Sequence, residues 1–373
     1  MHGRMSDDPK IYAITLPGLE TTLAEEAQAA GFMLGRVTPG GVEISGGWPE
    51  LWRANLELRC ATRVLWRMGS FMAFHLAQLD KRAHKFDWGA VLDPGVPLRV
   101  EVATSRKSRI YHAGAATTRV TGGLEACGYA VAADAPVTRK IRIDDNRVTV
   151  SVDSSGAPLH KRGTKPAVGK APLRETIAAA FLRQCGYDGT QPVLDPMCGS
   201  GTFVLEAAEM AAGLQAGRAR SFAFERFRGF DAEALADLRH TVRRTEPQVT
   251  LSGSDRDAGA VRMATQNAER GGVSDFTTFE MRDAADTSAP DGPAGLVMIN
   301  PPYGARIGNK KALYPVYARL GAVLRERFGG WRVGLVTSEP SLAKTTDLPF
   351  LPDGPPIAHG GLRVRLYRTD ALT

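Results

Sequence analysis

The chain has 373 residues, of which 43% are hydrophobic, so we expect two or three domains of an ordinary globular protein. No stretch approaches the ~20 apolar residues of a membrane span, which excludes a membrane-spanning protein. The opening residues MHGRMSDDPK lack the apolar core of a signal peptide, which excludes the secreted class. Both observations predict a cytoplasmic protein with no membrane partner. The formal net charge of +7 is concentrated in residues 1–170, where 23 Lys and Arg face 17 Asp and Glu, and this asymmetry favours a nucleic-acid partner over a simply solvated surface.

Apolar patterning predicts a mixed α+β organisation over the first half of the chain. Near the N-terminus, strands are predicted at 11–15 and 42–44, and helices at 17–30 and 48–58. Turn-forming residues Asp144-Asp145-Asn146 predict a hairpin within 140–152. Between these parts the pattern predicts a strand at 63–71, a helix at 76–88, a strand at 98–103 and a helix at 112–127.

From Pro172 onward the pattern changes to strands alternating with helices, which indicates a parallel sheet in an α/β domain. A pair of glycines, Gly360 and Gly361, precedes the apolar LRVRLYR segment and predicts a closing hairpin. The strand candidates lie at 192–194, 248–252, 276–280, 295–299 and 331–336.

The segment NPPYG, which begins at Asn300, follows an apolar strand candidate and is the most informative motif. The Asn300 side-chain oxygen and a backbone carbonyl can accept both hydrogens of a planar amine, which leaves the nitrogen lone pair facing a donor. Pro301 and Pro302 stiffen the loop, and Tyr303 offers a flat face on which a base can stack. We interpret these four residues as catalytic, with an ordinary strand-to-loop turn as the alternative.

A second motif, DPMCGSGT, runs from Asp195 to Thr202 and joins a short strand to a helix. Gly199 and Gly201 allow backbone N–H groups to approach a ligand, although the turn lacks the third glycine of the dinucleotide fingerprint. A carboxylate at Asp195 would repel a pyrophosphate and suits a cationic ligand such as S-adenosylmethionine (SAM). Cys198 is interpreted as a small turn residue and not as a thiol nucleophile.

DPMCGSGT followed 105 residues later by NPPYG resembles the class I SAM-dependent methyltransferases. Three further stretches are similar to the THUMP-domain RNA guanine-N2 methyltransferases, in particular the single-activity bacterial enzymes of 23S ribosomal RNA. They are SSGAPLHKRG with APLRETIAAAFL (154–163 and 171–182), RSFAFERFRGFDAEALADLR (220–239) and SRKSRIYHAGAATTRV (105–120).

The resemblance covers the chain from about residue 66 onward and implies three domains. These are a ferredoxin-like α+β region at 1–65, a THUMP RNA-binding domain at 66–165 and a methyltransferase domain at 166–373. For the last domain it implies a Rossmann-like sheet of seven strands, one of them antiparallel.

The resemblance also implies SAM as the cofactor, bound at the carboxyl ends of the first three strands. The glycine turn would hold the methionine part, Asp255 the ribose hydroxyls and Asp283 the adenine amine. Asp257 competes with Asp255, but we interpret it as a helix N-cap, and a plain strand-end cap is the alternative for Asp283. The complete predicted cofactor set is Pro172, Leu173, Arg174, Asp195, Pro196, Met197, Cys198, Gly199, Ser200, Gly201, Thr202, Asp255, Arg256, Asp283 and Ala284.

Basic residues in three stretches are predicted RNA contacts. Lys and Arg contacts to phosphate position a nucleic acid and carry little sequence information. For each single residue a solvated surface position is the alternative. The predicted set is Arg106, Lys107, Arg109, Arg119, Lys161, Arg162, Arg306, Lys310 and Lys311.

The cysteines predict neither a zinc site nor a disulfide framework. Cys60, Cys127, Cys185 and Cys198 are scattered, with no CxxC pair and no neighbouring histidine cluster. We therefore expect no metal cofactor.

Taken together, the motifs and the resemblance predict SAM-dependent methylation of the exocyclic N2 of a guanine in 23S ribosomal RNA. A transfer-RNA guanine-N2 enzyme with the same architecture is the first alternative. An adenine-N6 or glutamine methyltransferase also remains, because an NPPY motif serves several planar amines. A non-catalytic RNA-binding assembly factor is the alternative from a different class.

Overall fold

The computed structural model describes residues 10–164, 173–240, 245–303 and 310–373. The chain divides into two compact units that alternate along the sequence. The N-terminal unit comprises the residues up to Thr15, Ala24–Leu159 and Arg220–Arg239, and the C-terminal unit comprises Leu16–Leu23, His160–Ala219 and the residues from His240 onward.

One seven-stranded sheet organises the N-terminal unit. Its strand pairs are antiparallel except for the last two strands, which are parallel. The edge strand Leu34–Thr38 was not predicted, because its mostly exposed residues show no apolar alternation. From one edge to the other the sheet consists of β2 (Leu34–Thr38), β3 (Gly41–Ile44), β1 (Ile11–Ile14), β4 (Arg63–Met72), β7 (Arg147–Asp153), β6 (Val137–Asp144) and β5 (Leu98–Thr104).

The predicted hairpin between β6 and β7 is confirmed. Asp145 and Asn146 have φ angles of 48° and 60°, which is the conformation of a two-residue turn matching the twist of the flanking strands. The predicted domain boundary at residues 65–66 falls inside β4, so both predicted N-terminal regions contribute strands to one sheet. The boundaries themselves stay predictions.

Helix bounds differ from the sequence pattern where a tertiary contact intervenes. The helix predicted at 48–58 is confirmed within one residue, whereas the one predicted at 76–88 ends at Ala83. The chain turns there because buried Trp88 donates an indole N–H to the Ala83 carbonyl at 2.8 Å. The helices are α1 (Glu20–Ala29), α2 (Trp48–Glu57), α3 (Leu76–Ala83), α4 (Ala113–Ala126), α5 (Glu175–Gln184), α6 (Thr202–Ala211), α7 (Ala232–His240), α8 (Ala258–Gly271), α9 (Leu313–Arg327) and α10 (Pro340–Thr345).

The segment Arg220–Arg239 folds as part of the N-terminal unit, far in sequence from its neighbours. Phe224 is fully buried with its ring 6.2 Å from that of Trp52. The Arg220 guanidinium donates to the carbonyls of Ser155 and Pro158 at 3.0 and 2.9 Å. Aromatic packing of this kind stabilises by about 0.5–1.5 kcal/mol per pair beyond area burial, so the segment contributes to the core of this unit.

A second seven-stranded sheet organises the C-terminal unit, as the resemblance implied. Its central strands are parallel, and one strand near the edge is antiparallel to its neighbour. The closing hairpin predicted at Gly360 and Gly361 is confirmed, with both glycines at positive φ. The spatial order is β10 (Thr277–Met281), β9 (Leu251–Asp255), β8 (Val193–Asp195), β11 (Leu296–Ile299), β12 (Arg332–Thr337), β14 (Leu362–Arg368) and β13 (Ile357–His359).

The strand predicted at 248–252 begins three residues later, at Leu251. Pairing decides this shift, because Leu251 is the residue opposite both Val193 of β8 and Thr277 of β10. As a result Asp255 is the last residue of β9 and lies where the parallel strands have their carboxyl ends.

A buried apolar cluster packs α9 against β11 and β12. Val297 and Ile299 of β11 and Tyr317 and Leu320 of α9 belong to this cluster, and all four are at most 1% exposed. Burying a large apolar side chain stabilises by roughly 1.5–3 kcal/mol. This packing fixes the end of β11 and therefore the start of the loop that carries Asn300.

Candidate active site

The two sequence motifs leave the sheet side by side. β8 and β11 are neighbouring parallel strands, with Val193 opposite Leu296 and Leu194 opposite Val297. Because parallel neighbours end at the same edge, the turn after Asp195 and the loop after Ile299 emerge next to each other. The spatial strand order also reverses between β8 and β11, which is the point at which open α/β sheets bind ligands.

Hydrogen bonds from the end of β9 hold the glycine turn in place. The Gly199 N–H donates to Asp255 Oδ2 at 3.0 Å, and the Cys198 N–H donates to the Ser254 carbonyl at 2.9 Å. Gly201 has a φ of 84°, and a Cβ built on it would lie 3.2 Å from the Ala264 Cβ and 3.3 Å from the Phe279 ring. The positive φ and these close atoms both favour glycine at this position.

Two carboxylates meet beneath this turn. Asp195 is 2% exposed, and its Oδ1 accepts the Met197 N–H at 3.0 Å. Burial raises the pKa of Asp195 to about 8, and the nearby Asp255 carboxylate pushes it in the same direction. Asp255 Oδ1 also accepts the Asp257 N–H at 3.0 Å. A pair of acids at a strand edge suits a ligand with positive charge and hydroxyl donors.

Asp257 and Asp283 both cap helical turns. Asp257 Oδ1 accepts the Gly259 N–H at 2.8 Å, which confirms the predicted N-cap of α8. Asp283 Oδ1 accepts the Ala285 N–H at 2.9 Å and caps a short 3₁₀ turn at Ala284–Asp286. Asp283 is nevertheless exposed at the same edge as Asp255, so its role toward an adenine amine stays a prediction.

The Asn300 loop contains an unsatisfied amide oxygen. Asn300 Oδ1 is buried and accepts no hydrogen bond from the described residues. A buried acceptor without a donor costs about 1–3 kcal/mol, which a ligand N–H would recover. The next residue, Pro301, is buried, whereas Pro302 is exposed and Tyr303 is half-buried.

Tyr317 of α9 holds this loop from beneath. Its hydroxyl lies 3.2 Å from the Pro302 carbonyl and 3.4 Å from Thr337 Oγ1 at the end of β12. The residue is fully buried, and burial raises the pKa of its phenol, so it remains protonated and able to donate. Sequence reasoning missed Tyr317, because nothing local distinguishes it from an aromatic core residue of an amphipathic helix.

Asn267 of α8 is a second residue that sequence reasoning missed. Its Nδ2 donates to the Ser200 carbonyl at 3.1 Å, and the side chain is buried. The contact fixes the glycine turn from the side of α8. No signal within the α8 sequence indicates this long-range partner.

The remaining predicted cofactor residues differ in exposure. Leu173 is buried and Arg174 is the N-cap of α5, while Pro172 lies outside the described residues. Met197 packs against the apolar cluster that contains Ile299, which connects the turn with the base of the Asn300 loop. Pro196, Ser200, Thr202 and Ala284 are buried, and Arg256 is exposed.

The structure corrects the predicted role of Arg162 as an RNA contact. Its side chain is 3% exposed, and its Nε and Nη2 donate to the two Glu206 carboxylate oxygens at 3.0 and 3.2 Å. A guanidinium that neutralises a buried carboxylate is unavailable to a phosphate, so the assignment of Arg162 to RNA was wrong. Its partner Glu206 is a buried residue of α6.

The other predicted RNA contacts are spread over both units. Arg106, Lys107 and Arg109 are exposed in the loop between β5 and α4, and Arg119 lies 3.7 Å from Asp80. Arg306 and the Lys310 side chain lie outside the described residues. Lys161 and Lys311 are exposed in the C-terminal unit.

The described residues contain no candidate metal centre. No group of three or more His, Cys, Asp or Glu there could hold a metal ion.

Burial raises the pKa of the Cys198 thiol, which argues against a thiolate nucleophile in the glycine turn. Within the described ranges, the helices are too short or too polar to span a bilayer.

The strand order, the glycine turn after β8 and the Asn300 loop after β11 define a class I SAM-dependent methyltransferase, with SAM as its cofactor. Residues 162–349 match the RMKL-like methyltransferase domain family (UPF0020), and residues 10–65 match the RlmL ferredoxin-like domain. The chain belongs to the RMKL-like methyltransferase family. The second match confirms the predicted ferredoxin-like region near the N-terminus.

Named relatives agree with this assignment. The chain is 33% identical over 347 residues to "Ribosomal RNA large subunit methyltransferase K/L" of Vibrio campbellii, covering 88% of this chain and 49% of that protein. The chain thus spans about half the length of that relative. A Synechocystis protein named as a candidate RNA methyltransferase is 31% identical, covering 96% of this chain and 95% of its own length. A methyltransferase crystal structure complexed with SAH is similar with a TM-score of 0.86 and 25% identity, covering 99% and 100% of the two chains.

Proposed function

We propose that this chain transfers a methyl group from SAM to the exocyclic N2 of a guanine in 23S ribosomal RNA. The observation that carries the proposal is the buried Oδ1 of Asn300 beside the glycine turn, which accepts no hydrogen bond from the residues that the structure describes. An amine hydrogen of the target base would satisfy this oxygen, and the Pro301 carbonyl would accept the second hydrogen.

The protein contributes position more than acid–base chemistry. SAM supplies a methyl group already activated on its sulfonium. An aromatic amine is a weak nucleophile because its lone pair is delocalised into the ring. Two hydrogen bonds in the Asn300 loop favour a more tetrahedral nitrogen and aim its lone pair toward the turn at Gly199. The proton lost from nitrogen leaves to water, since the described part of the loop offers no carboxylate or imidazole beside Asn300.

In the proposal, SAM binds at the carboxyl ends of β8, β9 and β10. Asp195 is buried and Asp255 is half-buried at the carboxyl ends of β8 and β9, where a cationic ligand would favour the ionised form of Asp195. In the proposal Asp255 accepts the ribose hydroxyls, Asp283 reaches the adenine amine and Tyr303 stacks on the target base. The turn from Pro196 to Thr202 surrounds the methionine part.

RNA is the proposed substrate for two reasons. The basic excess lies in residues 1–170, and three exposed cations (Arg106, Lys107 and Arg109) occupy one loop of the N-terminal unit. The names of the relatives also specify RNA, with the large ribosomal subunit specified for Vibrio campbellii. We propose a THUMP-type RNA-binding role for residues 66–165, and phosphate contacts at Lys161 and Lys311. Extrusion of the target base favours single-stranded loops or partly unfolded RNA.

Mass spectrometric mapping of methylated guanosine in RNA from a deletion strain tests this proposal. We expect one N2-methylguanosine to disappear from 23S ribosomal RNA and to return when the intact gene is restored. A mark lost from a transfer RNA, with ribosomal RNA unchanged, would establish the transfer-RNA alternative. SAM binding without methyl transfer to any RNA would instead support an assembly factor.

A further inference from the structure

Two exposed aromatic residues precede neighbouring helices of the N-terminal unit. Tyr111 is 77% exposed and is followed by His112, the N-cap of α4, whose ring accepts the Ala115 N–H. Phe74 is 40% exposed and is followed by His75, the N-cap of α3, whose ring accepts the Gln78 N–H. Two exposed aromatic rings at equivalent helix starts offer flat apolar surface to a ligand.

The two helices run side by side in the same direction. Arg119 of α4 lies 3.7 Å from Asp80 of α3, and a Cβ on Gly123 would lie 2.7 Å from the Ala83 backbone. These contacts pair residues 39 and 40 positions apart, and a constant offset means parallel helices. The helices therefore begin near each other, and Phe74 lies at the same end of the pair as Tyr111.

Asn146 ties the surrounding loops together. Its Oδ1 accepts the Arg109 N–H at 2.9 Å, its carbonyl accepts the Ala73 N–H at 2.8 Å, and its own N–H donates to Ser108 Oγ at 3.2 Å. One turn residue thus joins the end of β4 to the loop after β5. The loop that carries the cations is thereby held against the segment that carries Phe74.

Positive charge lies close to Phe74. The Arg109 guanidinium lies 5.7 Å from the Phe74 ring centroid, and exposed Arg106 and Lys107 precede it in the same loop. The acidic groups that face this loop are Asp144, whose pKa is lowered by a hydrogen bond from Ser105 and by Arg142 and Lys107, and exposed Asp145. Three cations against these two acids leave a small positive excess beside two flat rings.

We propose that Phe74 and Tyr111 form a stacking platform for two unpaired RNA bases, whose phosphates contact Arg106, Lys107 and Arg109. Flat side chains beside cations are the arrangement that binds single strands with little sequence preference. This inference rests on the proposed function, because it takes RNA as the substrate. It adds two base-stacking side chains, Phe74 and Tyr111, to the RNA-binding role proposed for residues 66–165.

The test measures RNA binding by the full chain. The probe is a single-stranded RNA of about 12 nucleotides with a central 2-aminopurine, whose fluorescence is quenched on stacking. We expect Tyr111→Ala and Phe74→Ala each to raise the Kd about tenfold and to reduce the quenching. Tyr111→Trp should retain both. Met33→Ala is the control, because Met33 is 76% exposed in the same unit but is not part of the platform.

The salt dependence of the Kd distinguishes base stacking from contacts between cations and phosphates. The aromatic variants should keep the slope of log Kd against log salt, whereas Lys107→Ala should reduce that slope by about 0.7. Unchanged Kd and quenching in the Phe74→Ala/Tyr111→Ala double variant, or no binding of the probe by the unmodified chain, would overturn the platform.

A parallel assay of methyl transfer to purified ribosomal RNA keeps the two proposals distinct. Transfer by the unmodified chain, together with unaltered probe binding by the double variant, would reject only the platform. Absence of transfer to any RNA, with aromatic-dependent quenching, would reject only the proposed activity.

Discussion

The Tyr317 hydroxyl donates to the Pro302 carbonyl at 3.2 Å and so connects the centre of α9 to the loop that follows β11. The same hydroxyl lies 3.4 Å from Thr337 Oγ1, at the end of the next strand. Through one buried phenol, the loop carrying Asn300 is attached to α9 and to the end of β12. Its position is therefore set by the core of the unit.

Replacing Tyr317 with Phe removes this attachment and little volume. We expect methyl transfer under saturating SAM and RNA to slow about fivefold, because one hydrogen bond of about 1 kcal/mol no longer holds the loop. The Kd for SAM should stay within twofold, since the glycine turn is untouched. Rapid-quench transfer assays and SAM titration provide the two numbers. A proportional loss of SAM affinity would show that Tyr317 is only a folding residue.

Asp195 predicts a pH-dependent stability in the absence of SAM. Its folded pKa of about 8 lies above the ordinary value of 3.8, so the folded state retains a proton that the unfolded state releases. Stability should therefore fall as pH rises from about 4 to about 8, where the folded carboxyl finally ionises. Asp195→Asn, which is neutral throughout, should lose this slope.

Thermal unfolding of both proteins between pH 5 and 8 checks the expectation, with exposed Asp283→Asn as the control. The melting temperature of the unmodified chain should decline relative to that of Asp195→Asn as pH increases. Parallel curves would mean that Asp195 is already ionised at low pH and that its carboxylate has a partner.

Gly201 predicts a steric limit at the cofactor turn. Its φ is positive, and a Cβ would crowd Ala264 and Phe279 more tightly than an ordinary van der Waals contact allows. Gly201→Ala should destabilise the protein by about 1–3 kcal/mol and weaken SAM binding more than tenfold. Gly122→Ala, within α4 and facing open space, should instead stabilise slightly. Differential scanning calorimetry and SAM titration measure both effects, and wild-type SAM affinity in Gly201→Ala would refute the role of the turn.

The Arg162–Glu206 pair predicts a structural phenotype. Arg162→Ala leaves the Glu206 carboxylate buried without its bidentate partner, which should cost about 3–5 kcal/mol. Lys161→Ala, at the exposed neighbouring position, should leave the melting temperature unchanged. Denaturant unfolding compares the two. A stable Arg162→Ala protein with weakened RNA binding would restore the original prediction for this residue.

Local chemistry made the motif loops predictable from sequence. The turn at Gly199 and Gly201 and the loop at Asn300 each follow a short apolar strand, and both patterns depend on residues a few positions apart. The hairpin at Asp145 and Asn146 was predictable for the same reason, because two adjacent residues determine its turn type.

Long-range partners were not predictable. Tyr317, Asn267 and the Arg162–Glu206 pair act through contacts between elements far apart in sequence, and their own neighbourhoods look like ordinary helix or loop. The placement of Arg220–Arg239 in the N-terminal unit is a further case, because it depends on Trp52 and other aromatics about 170 residues away. Burial, which pattern alone does not reveal, decided the role of Arg162.

Single-turnover methyl transfer by Asn300→Ala, with SAM affinity measured on the same preparation, tests the central claim most directly. If Asn300 Oδ1 accepts the amine hydrogen of the target base, transfer should fall at least a hundredfold while the Kd for SAM stays within threefold. Transfer at a rate near that of the unmodified chain would contradict the claim.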